Sequence, residues 1–291
     1  MDKLALKAYG KINLGLDVLR KRPDDYHDLK MIMQMVDVYD DIVITKTDRK
    51  DEIVVATDKF VLENEKGNLA YMAVKLLFDE FNIHQGIEIK INKRIPIAGG
   101  MAGGSSDCAT TLMGINEMFD LKLSKEDLMK RGVKLGADVP YCVLGKTAIA
   151  EGIGEILTPL PTPPSCYVII AKPPVSVSTA FVYGKIRADE ITKRPDIDGM
   201  AEAIKNGDLY KMSSLLYNVM EDVTVPEYPI IADIKKMMIE NGALNSIMSG
   251  SGPTVFGIYD NLEKAENTMK LLKKSNLTEQ LYLTKFIENQ V

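Results

Sequence analysis

Apolar and polar positions alternate from the start of the chain. Leu4-Ala5-Leu6-Lys7-Ala8-Tyr9 and Ile12 to Leu19 both read as strands, broken at Gly10-Lys11. Asp41 to Thr45, Glu52 to Ala56 and Ile87-Glu88-Ile89-Lys90-Ile91 read as further strands. The period then changes. Leu69, Met72, Ala73, Leu76 and Leu77 recur at helical spacing behind Asn68, a residue type that caps helices. Cys108, Leu112, Ile115 and Phe119 give a second helix one apolar face, and Ser124 caps a short third one. Pro159, Pro161, Pro163 and Pro164 admit neither a helix nor a central strand, so they predict a boundary between residues 1–158 and 159–291. Beyond it, Tyr167 to Ala171 is a buried strand. Pro229 opens a helix with Ile231, Ile234 and Met238 on one side, closing at Asn241-Gly242. Ser246 to Met248 and Thr254 to Ile258 are strands around a glycine turn. A last helix presents Leu262, Ala265, Met269 and Leu272, and a strand from Gln280 to Phe286 follows. Strands and helices alternate irregularly, which predicts an α+β fold and not a doubly wound sheet.

The stretch Pro96-Ile97-Ala98-Gly99-Gly100-Met101-Ala102-Gly103-Gly104-Ser105-Ser106-Asp107 lies between a strand and a helix. A helix start carries unpaired N–H groups and partial positive charge, and glycines let an anion approach the backbone. The stretch reads as a phosphate cradle. It also reads as a turn in which Ser105, Ser106 or Asp107 caps the helix. Two other nucleotide patterns fail. Gly145-Lys146-Thr147 resembles the end of a P-loop, but position 140 is proline and the intervening residues are apolar. Gly100 and Gly103 lack the opening of a Rossmann fingerprint.

Composition narrows the class. The chain has 291 residues, 46% of them hydrophobic, enough for one large or two moderate cores. No apolar run is long enough to span a membrane, and the N-terminus lacks the pattern of a signal peptide. Cys108, Cys142 and Cys166 are widely spaced in apolar company, which predicts buried free thiols in the cytoplasm and no metal site. The net charge of −5 argues against nucleic acid as a partner. The sequence leaves monomer and homodimer both open.

Three side chains invite chemistry. Asp138, between Gly136-Ala137 and Val139-Pro140, is a helix cap or a functional carboxylate that needs a cation beside it. Lys11 is a solvated lysine or that cation. His27, after Tyr26, is an exposed loop residue or part of an aromatic surface for a flat base.

Ala8-Tyr9-Gly10-Lys11-Ile12-Asn13-Leu14, Pro96 to Ser106, and Asn245 to Phe256 together resemble the three motifs of the GHMP kinase superfamily, in order and across nearly the whole chain. Lys11 to Leu14, Arg22-Pro23-Asp24-Asp25-Tyr26-His27, Gly136 to Pro140 and Ala171 to Thr179 resemble, within that superfamily, the branch acting on a cytidine diphosphate ester of methylerythritol. The resemblance implies a two-lobed fold with the substrate in a cleft between the lobes, an N-terminal ATP-binding domain and a C-terminal domain. It implies transfer of the γ-phosphoryl group of ATP, with Mg²⁺, to the 2-hydroxyl of the methylerythritol moiety, in the non-mevalonate route to isoprenoids.

By motif position, Asp138 would take the hydroxyl proton and Lys11 would hold Asp138. Tyr26 and Tyr183 would stack on cytosine, His27 would read its polar edge, and Asn13 would lie near the erythritol. Pro96, Ile97, Ala98, Gly99, Gly100, Met101, Ala102, Gly103, Gly104, Ser105 and Ser106 would wrap the ATP phosphates, with Ser106 on the metal ion. Asn68 and Lys93 would lie near the adenosine. Position 25 is Asp where the superfamily branch usually has Gly, which predicts strain there if the backbone needs positive φ. Two rivals stay open: a GHMP kinase for another small alcohol, and a catalytically silent nucleotide-binding homologue.

Overall fold

The computed structural model describes residues 2–59 and 67–288. The chain forms two compact units. One comprises Met1–Gly10, Val38–Ile95 and Ala102–Gly145; the other comprises Lys11–Asp37, Pro96–Met101 and Lys146–Val291.

The long strands β1 (Lys3–Lys21) and β2 (His27–Thr47) run through both units. The expected break at Gly10-Lys11 does not occur. Alternate strand residues share a face, and Lys11 and Asn13 bond to each other on theirs: Lys11 Nζ donates to Asn13 Oδ1 at 2.8 Å. The polar residues satisfy one another, so the strand continues. For the same reason β2 is far longer than Asp41 to Thr45. Its buried Gln34 donates to the carbonyls of Met35 and Ile287 and accepts from Thr147, so a polar residue does not end it.

In the first unit β3 (Ile53–Thr57), the helix α1 (Leu69–Phe81) and β4 (Gly86–Asn92) follow. β3 pairs with β4 in parallel, and β4 pairs with β2 antiparallel from Asp41–Asn92 to Thr47–Gly86. Asn68 caps α1, its Oδ1 accepting from the Ala70 N–H at 2.8 Å. The helices α2 (Gly103–Met118), α3 (Lys125–Gly132) and α4 (Val139–Leu144) complete the unit. Ser124 caps α3 through a full capping box with Asp127. Cys108, Leu112 and Ile115 are buried along α2 as the spacing required.

In the second unit β5 (Ala148–Gly152) pairs with β2, and β6 (Ile156–Pro159) pairs with β5. β7 (Tyr167–Lys172) is followed by α5 (Thr179–Lys185), α6 (Ile197–Lys205), α7 (Leu209–Ser214) and the short strand β8 (Tyr217–Asn218), which joins β1 in parallel. Next come α8 (Glu221–Glu227), α9 (Ile230–Glu240), β9 (Asn245–Met248), β10 (Val255–Tyr259), α10 (Leu262–Lys274) and β11 (Gln280–Thr284). A four-stranded sheet has the order β11-β7-β10-β9. On α9 the buried residues are Ile231, Ile234 and Met238, as the pattern gave. On α10 the buried face is Ala265, Thr268 and Leu272, whereas Leu262 is exposed. Thr268 hides its hydroxyl by donating to the carbonyls of Asn241 and Lys264. Gly145 ends α4 and Thr147 leads into β5, so the Gly145-Lys146-Thr147 segment runs from helix to strand, the reverse of a P-loop. All three cysteines are buried free thiols. Among the described residues no helix is long and apolar enough to cross a membrane.

Candidate active site

On the first unit the candidate anion site is the start of α2. None of the expected side chains caps it. The capping position is Ala102, with φ +57°, and it gives the first turn no side-chain hydrogen bond. The N–H groups of Gly103, Gly104 and Ser105 therefore begin the helix without a side-chain acceptor, the arrangement that holds anions. Ser106 is fully buried and gives its hydroxyl proton to the Tyr9 carbonyl at 2.7 Å. It pegs the helix to the strand, and the oxygen lone pairs that a cation would use are not spent in that bond. Among the described residues no group of three or more His, Cys, Asp or Glu side chains could hold a metal ion.

The turn carrying Asp138 lies beside this helix start. A Cβ on Gly136 would stand 3.7 Å from Ser105 Oγ. Asp138 opens α4 by position, yet its carboxylate makes no capping hydrogen bond. The cap reading of Asp138 fails on that geometry.

Lys93 is buried below the loop, its ammonium held by Asp40 and, at 2.5 Å, by Asp107. Asp40 also accepts the N–H groups of Arg94 and Ile95, at 2.5 and 2.8 Å. Burial works to lower the Lys93 pKa, but Asp107 and Asp40 outweigh it and hold it above its ordinary value. Burial pushes Asp107 up to about 7 against the pull of Lys93. The triad ties the end of β4 to the first turns of α2. The sequence held no signal for it, because Asp40, Lys93 and Asp107 lie far apart along the chain. Leu69, which follows Asn68, reaches this helix start: its Cδ1 would lie 3.9 Å from a Cβ on Gly104.

On the second unit, β1 meets the first half of the glycine loop. The Lys11 N–H donates to the Met101 carbonyl at 3.1 Å. The glycine turn between β9 and β10 joins them: Ser249 Oγ donates to the Gly100 carbonyl at 2.9 Å, and a Cβ on Gly250 would stand 3.5 Å from Asn13 Oδ1. The structure thus brings Lys11, Asn13, Gly100, Met101 and Ser249 together. A Cβ on Gly100, at φ +73°, would meet the Ser249 carbonyl oxygen at 2.2 Å. Glycine is required there. Ala98 and Ala102 also adopt positive φ, at +50° and +57°, a conformation that costs an L-residue roughly 1–2 kcal/mol. Reading glycines alone missed that strain.

His27 is not an exposed loop residue. It is 6% exposed and stacks on Tyr183, with ring centroids 5.1 Å apart and planes 30° from parallel. Burial, aided by the charge of Lys21, lowers its pKa, so the ring is neutral at pH 7 and offers one donor and one acceptor. Tyr26 beside it is 57% exposed. Asp25 does take positive φ, +65°, and its carboxylate pairs with Lys21 at 2.9 Å on the surface.

With this geometry in place, two family models match the chain: GHMP kinases N terminal domain over residues 68–146, and GHMP kinases C terminal over 200–274. The chain is 54% identical over 290 residues to 4-diphosphocytidyl-2-C-methyl-D-erythritol kinase of Lachnoclostridium phytofermentans, covering 100% of this chain and 99% of that protein. The chain belongs to this kinase family. The kinase of the same name from Lachnospira eligens is 48% identical over 284 residues, 98% of each chain. The crystal structure of a 4-(cytidine 5'-diphospho)-2C-methyl-D-erythritol kinase superposes with a TM-score of 0.81 at 26% identity, over 97% of this chain and 99% of that one. The fold is that of the GHMP kinases, and membership of this kinase family implies ATP as co-substrate.

Proposed function

We propose that this protein transfers the γ-phosphoryl group of ATP to the 2-hydroxyl of 4-diphosphocytidyl-2-C-methyl-D-erythritol, in the cytoplasm, on the non-mevalonate route to isoprenoid precursors. The observation that carries the reading is the helix start at Gly103–Ser105, bare of side-chain caps, with the Asp138 turn next to it. In the reaction the acceptor oxygen bonds to the γ-phosphorus, its proton passes to Asp138, and ADP leaves. Lys11 offsets charge on the transferred group. The loop from Pro96 to Ser106 positions the phosphates, since phosphoryl transfer depends on positioning and charge neutralisation more than on covalent catalysis. Mg²⁺ bound with ATP would supply neutralisation of the phosphate charge. Asn68 and Lys93 stand on the adenosine side. Lys93 acts there through the order it imposes on α2.

The neutral ring of His27, fixed against Tyr183, supports recognition of a cytosine edge, and the exposed Tyr26 supports stacking on its face. Asn13 lies on the erythritol side. Tyr26→Ala is expected to raise KM for the cytidine substrate by about tenfold and to leave KM for ATP unchanged, because stacking on an aromatic ring contributes about 1–3 kcal/mol per base. Equal changes in both constants would count against stacking. Asp25→Gly is expected to change neither constant by more than about twofold, the scale of an ordinary surface substitution. Glycine accepts the same positive φ, and the Lys21 pair it loses is solvated. A KM shift of tenfold or more would mean that Asp25 meets the substrate.

The two family matches fall on either side of the proline-rich stretch, which supports a division into an N-terminal ATP-binding domain, 1–158, and a C-terminal domain, 159–291. A coupled ADP-release assay with the cytidine substrate, homoserine and mevalonate separates the alternatives. Turnover with the cytidine substrate alone is expected. Preference for another alcohol would move the chain to a different GHMP kinase activity, and tight ATP binding without any turnover would make it a silent homologue.

A further inference from the structure

Asn218, in β8, is almost sealed from solvent, and its side chain is spent on backbone groups. Nδ2 donates to the carbonyls of Met248 and Gly250, both at 2.8 Å, and Oδ1 accepts from the Met220 N–H at 2.9 Å. A primary amide carries two coplanar donors pointing apart, so one asparagine can clamp two carbonyls two residues apart. Glu221 adds to the clamp by accepting the Met248 N–H at 2.6 Å, and Lys235 holds Glu221. The segment so fixed is the one that meets the glycine loop. Ser249 Oγ donates to the Gly100 carbonyl, and the backbones there lie so close that Gly100 has no room for a Cβ.

We propose that Asn218 is a positioning residue for ATP: it fixes Met248–Gly250, and these fix Gly100 and the first half of the phosphate loop. The role rests on the reading of residues 96–106 as the ATP loop. Asn218 itself touches no substrate. Its action runs along one path, from Asn218 to the 248–250 turn to Gly100, and Ser249 is a link in that path.

The test uses the full chain with Asn218→Asp, Ser249→Ala and the double variant. Aspartate keeps the size and the acceptor but sets a carboxylate against two carbonyls. Steady-state kinetics are read for ATP and for the cytidine substrate, with hydrogen exchange followed on a peptide spanning 96–101. Asn218→Asp should raise KM for ATP about tenfold, the equivalent of one buried hydrogen bond, with KM for the cytidine substrate unchanged. Exchange at 99–101 should quicken while β11 stays protected. Ser249→Ala should shift KM for ATP in the same direction by less, and the double variant should be no worse than Asn218→Asp alone. Equal rises in both Michaelis constants, exchange quickened across the whole unit, or additive effects in the double variant would overturn the role. If Asn218→Asp does not fold, Ser249→Ala decides, and an unchanged KM for ATP in it overturns the path. Failure of the wild type to turn over ATP would overturn the loop reading itself. Normal wild-type turnover with unaltered constants in both variants would overturn only the positioning role.

Discussion

Asp138→Asn should lower kcat at least a hundredfold while leaving both Michaelis constants within a few fold. A positioned general base typically contributes about 10²–10⁴ in rate, and asparagine keeps the shape while losing the basic oxygen. The usual objection to such a variant is that it also removes a helix cap. Here the carboxylate makes no capping bond to α4, so a loss of activity would not trace to a lost cap. Thermal unfolding and single-turnover kinetics check the two halves together. An unchanged Tm with kcat down a hundredfold fits a base. Activity within tenfold of wild type would remove Asp138 from the mechanism.

Lys93→Ala should destabilise the protein by about 3–5 kcal/mol, the cost of removing one partner from a buried ion pair. Two carboxylates would be left behind, Asp40 with no exposed side-chain surface and Asp107 with 8%. Neither has an alternative cation in the bonds it makes, and Asp40 would keep only the N–H groups of Arg94 and Ile95. Urea unfolding reads the loss directly as a shift in midpoint at unchanged slope. A loss below about 1 kcal/mol, accompanied by a raised KM for ATP, would show that Lys93 serves the nucleotide by contact and not through α2.

Elements with clean periods were legible in the sequence. The Asn68 cap, the α9 face of Ile231, Ile234 and Met238, and the strand at Tyr167 were read at the right places. Strands with polar residues at buried positions were not. Lys11 in β1 and Gln34 in β2 broke the apolar pattern, and the partners that satisfy them were visible only in three dimensions. The α10 face turned because Thr268 could bury its hydroxyl on two carbonyls. Residue types in order picked out the glycine loop, Asp138 and His27 as candidates. Their chemistry depended on what lay beside them. Ser105 and Ser106 looked like caps, and the helix instead starts at an alanine in the left-handed region. His27 followed a charged turn, and it is nevertheless buried against Tyr183. Asp40, Lys93 and Asp107 assemble from three places in the chain, with no shared spacing to reveal them.

Phosphorus-31 NMR of a reaction containing the protein, Mg²⁺-ATP and 4-diphosphocytidyl-2-C-methyl-D-erythritol tests phosphoryl transfer most directly. One new phosphomonoester resonance on the acceptor should grow in step with ADP, and it should be nearly absent with Asp138→Asn. ADP appearing with inorganic phosphate and no phosphorylated acceptor would contradict the account.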